Sequence, residues 1–308
     1  MTGTKGIGGD DSTGPAVAVV GCGRWGAHVV RELAALGCAV TVADPRPEAR
    51  ATALATAARM AVADLDALPE TAGLIVATPA STHAAVAMRA LERGVPVFVE
   101  KPLTCDAASA WRLAHAAPQR LFVMDKWRYH PAIEALGALS RSGALGSPVS
   151  LRTRRNGGGA GQPDVGDFWT LLPHELSILL EVRGLLPGLR SASVVETPEG
   201  VRRLDVELDD AAAIEVSVGD AYAREVRVEG SEAVAWMADP YATCVWLSRH
   251  GSVAPEARPI SGEPPLRREL AAFVAHLRGD PPPRSSAAEG AAIVALSERI
   301  LQEAEARA

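Results

Sequence analysis

The first half of the chain alternates short apolar runs with longer stretches of helix-forming residues. Runs of this length rich in valine and leucine are typical of strands buried on both faces of a parallel sheet. The predicted strands are Val17–Val20, Ala39–Ala43, Leu74–Ala77, Val97–Val99 and Leu121–Met124. The predicted helices are Ala27–Leu36, Pro47–Arg59, a segment through His83 and Leu91, and one ending near Ala116. The alternation predicts a doubly wound parallel α/β sheet.

The second half changes character. Strand-like segments separated by Gly, Pro and Asp turns predict a largely antiparallel open sheet in an α+β domain. These segments are 149–154, 191–196, 202–207, 212–218, 223–229, 233–237 and 243–248. Helices are predicted at Arg128–Ala144, Phe168–Val182, Pro265–Leu277 and Ala287–Ala306, and the glycine-rich loop Asn156–Gly166 is expected to move over the site.

The length of 308 residues is enough for two domains. We expect a disordered tail at 1–14, a first domain at 15–127 and a second domain at 128–308. A net charge of −6 without a basic run argues against nucleic acid and against anionic membranes, and no apolar segment reaches membrane-spanning length. Four scattered cysteines favour the cytoplasm, and no metal-ligand spacing is present.

Gly21, Gly23 and Gly26 follow the first predicted strand in G-x-G-x-x-G spacing and open the first helix. The first glycine permits a tight turn, the second lets the backbone approach a pyrophosphate, and the third brings the helix close to the strand. Asp44 ends the second strand, 18 residues after Gly26, where it can bind ribose hydroxyls. The pattern predicts a dinucleotide site; the alternative is a glycine turn that serves packing only.

Two residues bear on the choice of dinucleotide. Asp44 would repel a 2′-phosphate, whereas Arg46 could bind one, so NAD is favoured and NADP is left open. Arg24 and Trp25 lie in the turn over the pyrophosphate, although Trp25 also suits a packing role.

Thr78, Pro79, Glu100, Lys101 and Asp125 directly follow predicted strands. In doubly wound sheets ligands bind outside the carboxyl ends of the strands. These side chains are therefore expected beside the glycine turn.

Five strings together make the chain recognisable: GCGRWG, the aspartate after the second strand, ATPASTH, EKPL and KWRYHPAIEAL. Across Ala16–Gly184 the chain resembles the Gfo/Idh/MocA family of oxidoreductases. The resemblance implies a two-domain enzyme that moves hydride between NAD(P) and a hydroxyl-bearing carbon of sugars, inositols or sugar nucleotides. WRYHPAI and PHELSIL are most similar to the branch that acts on nucleotide-linked sugars.

The resemblance also implies roles for particular residues. Lys101 would contact both cofactor and substrate, and Thr78, Pro79, His83 and Glu100 would line the nicotinamide-ribose half of the site. Hydride transfer from an alcohol needs a proton acceptor and a positive group near the oxygen. Lys101 is the candidate positive group, and the family suggests His174 as the general acid/base. The last helix would pack back on the first domain, and the open face of the sheet would form a homodimer or homotetramer.

One departure from the family is clear on the helix that carries His174. Many members have D-x-x-x-H-x-x-D, where this chain has Thr170, His174 and Ser177. Asp167, one turn earlier, is the candidate substitute. Glu175 points about 100° away from His174 around the helix axis and is expected at solvent or at an interface.

The remaining candidates for substrate contact are Asp125, Arg128, Tyr129, Trp169 and Thr170. Aromatic rings suit the apolar face of a sugar, but Tyr129 and Trp169 are equally plausible as core residues. Arg128 could instead anchor the domain junction, and backbone groups could satisfy His83.

Three functions compete at this point. The leading one is an NAD-dependent oxidoreductase that acts on the hydroxyl or keto carbon of a sugar or sugar nucleotide. The second is a reductase of a C=N bond, and the third is an NAD-binding regulatory protein without turnover, motivated by the two missing acids.

Overall fold

The computed structural model describes residues 14–147, 149–157, 164–196, 200–219 and 222–307. The expected tail, apart from Gly14, and most of the glycine-rich loop at 156–166 lie outside these residues. The described chain builds two sheets, one from each half of the sequence.

The first sheet has six parallel strands in the order β3-β2-β1-β4-β5-β6. The strands are β1 Ala16–Val20, β2 Ala39–Ala43, β3 Met60–Val62, β4 Gly73–Val76, β5 Val97–Glu100 and β6 Leu121–Met124. The prediction of a doubly wound parallel sheet is confirmed. Only β3 was not predicted, because it has three residues and lies at the edge of the sheet, where none of them is fully buried.

Helices cover both faces of this sheet. Alternate residues of β1 enter different cores: Val17 and Val19 pack into one, and Ala18 and Val20 into the other. The helices of this half are α1 Arg24–Ala35, α2 Pro47–Thr56, α3 His83–Leu91 and α4 Ala107–Ala116. A strand with apolar residues on both faces is what a sandwiched parallel sheet requires.

The second sheet has eight strands in the order β14-β13-β12-β11-β7-β10-β9-β8. The strands are β7 Ser150–Gly157, β8 Leu189–Glu196, β9 Arg202–Leu208, β10 Ala212–Val218, β11 Ala223–Glu229, β12 Ala233–Met237, β13 Cys244–Arg249 and β14 Glu256–Pro259. All neighbouring strands are antiparallel except β7 and β10. The prediction of a mostly antiparallel sheet is confirmed.

The helices α5 at Pro131–Arg141 and α6 at Asp167–Arg183 pack on the inner face of this sheet. The helix predicted from Arg128 to Ala144 is shorter, because a 3₁₀ turn at Lys126–Tyr129 precedes it. Pro131 begins α5, and the His130 ring accepts a hydrogen bond from Ala132 N at 3.2 Å.

The two C-terminal helices, α7 at Pro265–His276 and α8 at Ala287–Ala306, connect the halves. Phe273 of α7 joins the core that contains Val17. Ala291 of α8 packs in the first half, whereas Ile300 of the same helix packs in the second. The helix α8 therefore fixes one sheet against the other, and α7 contributes an ion pair at 2.8 Å between its Arg268 and Glu134 of α5. No helix within the described ranges is long and apolar enough to cross a bilayer.

The outer face of the second sheet carries charged side chains. Arg154 of β7 and Glu215 of β10 are direct cross-strand partners and form an ion pair at 2.8 Å. Apolar side chains on this face include Val195 and the stacked pair Trp236 and Trp246, with ring centroids 6.4 Å apart. An argument for self-association from an apolar face therefore does not apply, and any contact here would be largely electrostatic.

Candidate active site

The glycine turn between β1 and α1 is shaped to receive an anionic group. Gly21 has φ 94°, and a Cβ there would lie 2.7 Å from Ala77 O. A Cβ on Gly26 would lie 2.3 Å from Gly21 O, but one on Gly23 would meet nothing within 4 Å. Among the described residues no side chain caps the N-terminus of α1, which follows Gly23. This free helix N-terminus beside an open glycine fits the pyrophosphate of a dinucleotide.

Asp44 lies at the end of β2 beside this turn, with 2% of its surface exposed. Its carboxylate accepts hydrogen bonds from Cys22 N at 2.8 Å and from the Arg46 guanidinium at 3.0 and 2.9 Å. Burial opposes ionisation, but the bonds from Arg46 and Cys22 outweigh it and hold the pKa of Asp44 below its usual value. A fixed negative charge therefore stands where the adenosine ribose would lie.

His83 connects two strand ends. Its ring is fully buried, with Nδ1 2.7 Å from Pro102 O and Nε2 2.9 Å from Thr78 O. The ring thus spans the loop after β4 and the loop after β5, and its backbone partners hold it below the surface of the site. Pro79 begins the short turn that leads to His83.

A cavity of about 240 Å³ opens at the carboxyl ends of the strands, beside the glycine turn. The structure brings together there seven residues singled out from the sequence: Arg24, Trp25, Thr78, Glu100, Lys101, Thr170 and His174. Four others were not singled out: Ala77, Met124, Lys126 and Glu269. Residues from both halves of the chain therefore share one small chamber.

Lys101 follows β5 and reaches across to α6, where its Nζ donates to Thr170 O at 3.3 Å. Burial lowers the pKa of Lys101 to about 8, with the Glu100 carboxylate opposing this and Lys126 reinforcing it. At neutral pH the group is therefore an ammonium, but one that can release its proton just above neutrality.

His174 extends from α6 into the same chamber, edge-on to Trp127 with centroids 6.4 Å apart. Its Nδ1 is enclosed and has no hydrogen-bond partner among the described residues. Burial, followed by the charges of Lys101 and Arg155, lowers the pKa of His174 well below its usual value. The neutral imidazole is the stable form, so this residue can accept a proton.

Three buried carboxyl groups surround the chamber. Glu100 accepts a hydrogen bond from Trp25 Nε1, and Glu269 of α7 keeps one oxygen without a partner among the described residues. Burial raises the pKa of both groups. Burial also raises the pKa of Asp125 to about 6, although the Ser177 hydroxyl and the charge of Arg128 oppose this. Where Glu100 and Asp125 are ionised, their charges stabilise the Lys101 ammonium.

The missing acids of α6 are not replaced by Asp167. That residue lies in the first turn of the helix and lines a separate cavity of about 520 Å³, together with Trp169. Ser177 donates to His174 O at 2.9 Å, and its hydroxyl also acts to lower the pKa of the Asp125 carboxyl. The carboxyl group that Ser177 influences thus comes from the first half of the chain, and the imidazole Nδ1 has no carboxylate partner among the described residues.

Arg128 and Tyr129 also lie outside the chamber. Arg128 pairs with Glu181 at 3.2 Å and Glu289 at 2.7 Å, which joins α6 to α8. The Tyr129 hydroxyl accepts from Arg284 N at 3.0 Å. We therefore leave Arg128, Tyr129 and Trp169 out of the proposed substrate site.

A larger cavity of about 740 Å³ adjoins the chamber and shares Lys126 and His174 with it. Its wall includes Arg155, Arg224, Trp127, Tyr222, Tyr241 and the segment 260–266. The two cavities together offer a reacting end beside Lys101 and room for a substrate beyond it. Neither Arg155 nor Arg224 was singled out from the sequence.

The sequence suggested that Glu175 lies at solvent or at an interface, but the structure buries it. It is 1% exposed and forms an ion pair with Arg155 Nε. The expectation of a solvent position was wrong because the second sheet covers this side of α6. Glu175 thereby fixes a guanidinium in the wall of the larger cavity.

Comparison with known families identifies the first half of the chain. The model of the Gfo/Idh/MocA oxidoreductase family, described as an NAD-binding Rossmann fold, matches residues 16–123. The NAD-binding Rossmann domain inferred from the glycine turn is confirmed.

Named relatives include inositol 2-dehydrogenases. The chain is 33% identical to that of Renibacterium salmoninarum over 145 residues, which is 44% of the length of each protein. It is 30% identical to that of Pseudomonas fluorescens over 257 residues, covering 73% of this chain and 74% of the relative.

For a third relative a solved structure can also be compared. UDP-N-acetylglucosamine 3-dehydrogenase of Acidithiobacillus ferrooxidans is 32% identical over 174 residues, which is 55% of this chain and 54% of the relative. Its structure superposes with a TM-score of 0.80 at 24% identity, covering 95% of this chain and 98% of the other. The fold is shared over nearly the whole length.

The glycine turn generates a matched pair of variants. Gly26→Ala should destabilise the protein by about 1–3 kcal/mol, because its Cβ would collide with backbone. Gly23→Ala should leave the free energy of unfolding nearly unchanged but weaken NADH binding, because its Cβ would occupy the open side of the turn. Urea unfolding and NADH fluorescence titration measure the two effects. Equal NADH affinity of Gly23→Ala and the parent protein would contradict the pyrophosphate assignment.

Asp44 should set the dinucleotide preference. The parent protein is expected to bind NADH more tightly than NADPH, because the carboxylate repels a 2′-phosphate. Asp44→Ala should narrow the difference in affinity by releasing Arg46 to bind the phosphate, whereas Glu92→Ala, an exposed carboxylate after the end of α3, should not change it. Titrations with both cofactors test this, and tighter NADPH binding by the parent protein would overturn the assignment.

Proposed function

Because the chain belongs to the Gfo/Idh/MocA family of oxidoreductases, we propose that it transfers hydride between NAD and the hydroxyl or keto carbon of a sugar, an inositol or a sugar nucleotide. The observation that carries this proposal is the convergence of Lys101 and His174, from different halves of the chain, on one cavity beside the glycine turn. The four cysteines are free thiols, which fits the cytoplasm as the place of action.

NAD, when bound, supplies the acceptor or donor of the hydride. In the direction of alcohol oxidation, neutral His174 accepts the hydroxyl proton of the substrate. The Lys101 ammonium donates a hydrogen bond to the same oxygen and stabilises the negative charge that develops there. In the direction of reduction, Lys101 polarises the carbonyl oxygen, and His174 returns the proton to that oxygen.

The same two groups could protonate an imine nitrogen, but no contact in the chamber favours nitrogen over oxygen. The regulatory alternative predicts NADH binding without turnover. A panel of polyols, sugars, sugar nucleotides and imines, with NADH absorbance as the readout, separates the three functions.

Turnover should depend on both residues of the pair. Lys101→Met and His174→Ala are each expected to lower kcat by about 10²–10⁴-fold, the usual contribution of an acid/base group. The double variant should lose less than the product of the two, because the groups act on one oxygen. His174→Ala should retain NADH affinity, and the exposed His115→Ala serves as the control with full turnover. Full activity of His174→Ala would refute its role in proton transfer.

The pH profile gives a second readout of the same pair. The pKa of Lys101 is lowered to about 8, so its ammonium is present below that pH and is lost above it. The rate of carbonyl reduction should therefore fall as pH rises through about 8. Lys101→Arg should move this limb to much higher pH, since guanidinium does not deprotonate in this range. An unmoved limb would assign it to another group.

We further propose that the protein forms a homodimer or homotetramer through the outer face of the second sheet. Light scattering is expected to show such an oligomer, with association weakened by salt because the face carries cross-strand charges. Glu215→Arg should dissociate it, whereas Glu48→Arg on α2 should not. A monomer at micromolar concentration would exclude this contact.

A further inference from the structure

Two arginines lie directly opposite each other on neighbouring strands of the second sheet. Arg155 of β7 and Arg224 of β11 are register partners, and both side chains reach the wall of the larger cavity. Like charges in directly opposed positions destabilise an antiparallel pair. The sheet therefore maintains an arrangement that costs stability when nothing is bound between the two guanidinium groups.

Only one of the two charges is balanced by a carboxylate within the described part of the chain. Arg155 is 3% exposed and pairs with the equally buried Glu175. Arg224 is half-buried and makes no ion pair with any described residue. Its Nη1 donates to the backbone oxygens of Asn156 and, at 2.7 Å, of Ala223.

The guanidinium of Arg224 is nevertheless held in place. Its central carbon lies 4.6 Å from the centroid of the Tyr222 ring, and its backbone acceptors fix one edge. Arg155 is fixed in the same way by Glu175 and by the Trp127 ring, at 4.8 Å. Two ordered planar forks in a half-enclosed cavity match the oxygens of a carboxylate or phosphate.

We propose that Arg155 and Arg224 bind an anionic group of the substrate, a carboxylate or a phosphate. The inference rests on the proposed function and deepens it, because the same cavity is shared with His174. A substrate would place its reacting carbon beside Lys101 and His174 and its anionic end at the arginine pair. Lys126, in the wall of both cavities, adds positive charge between the two ends. A neutral polyol would leave the Arg224 guanidinium without a counter-charge.

The test is calorimetric titration of the NADH-loaded protein with four related probes: glucose, glucuronate, glucose 1-phosphate and UDP-N-acetylglucosamine. At least one anionic probe should bind tenfold or more tightly than glucose, since charge-assisted hydrogen bonds are the strong ones. Preference for glucuronate identifies a carboxylate, and preference for a phosphorylated probe identifies a phosphate. No turnover is needed for this measurement.

Arg224→Met removes the charge that has no carboxylate partner, and it leaves the Arg155–Glu175 pair intact. It should abolish the preference for anions while NADH affinity stays unchanged, which also shows that the variant is folded. Arg190→Met is the matched control: it lies in β8 of the same sheet, pairs with Asp209 at 2.8 Å and lines neither cavity of the site, so it should behave like the parent protein.

The proposal is overturned if glucose binds as tightly as every anionic probe, if no anionic probe binds at millimolar concentration, or if Arg224→Met and Arg190→Met behave alike. Binding of an anion without hydride transfer from any alcohol would instead refute the proposed function and leave the arginine site standing. Turnover of neutral inositol that Arg224→Met does not affect would support the proposed function and refute the arginine site.

Discussion

A buried ammonium group at the junction of the two sheets is the constraint on which the site depends. Removing a charge from water is costly unless partners replace the solvent. Lys101 obtains those partners from both halves of the chain: the Glu100 carboxylate from the first half and the Thr170 carbonyl of α6 from the second. Its charge therefore depends on docking of the sheets, and the reacting end of the cavity is complete only in the assembled fold.

The docking is itself maintained by buried charge. Arg128 holds Glu181 of α6 and Glu289 of α8, and its guanidinium is largely hidden from solvent. Loss of one partner from a buried pair costs about 3–5 kcal/mol, because the other charge is left without compensation. The apolar contacts of Ala291 and Ile300 on α8 also stabilise the docking of the two sheets. Residues that resembled substrate contacts in the sequence thus maintain the geometry of the cavity from outside it.

The sequence predicted the parts of this architecture that local patterns encode. Apolar runs of strand length predicted the first sheet, and strand-like segments between turn residues predicted the second. The glycine spacing predicted the turn before α1. Non-local groups were missed: Glu269 and Arg224 carry no local signal, because only tertiary packing brings them to the site. Glu175 was misjudged for a related reason. Helical periodicity separates it from His174, but it does not reveal that another layer covers its side of α6.

The electrostatic state of His174 connects substrate recognition with proton transfer. Lys101, Arg155, Lys126 and Arg224 all act to keep its imidazole neutral, and positions 170 and 177 on the same side of α6 carry Thr and Ser rather than carboxylates. An anion bound at the arginine pair would offset part of that positive field and ease the arrival of a proton on the ring. A neutral substrate would bring no such compensation. If the substrate supplies this negative charge, protonation of His174 does not require carboxylates at positions 170 and 177. Thr170 and Ser177 are then compatible with proton transfer by His174.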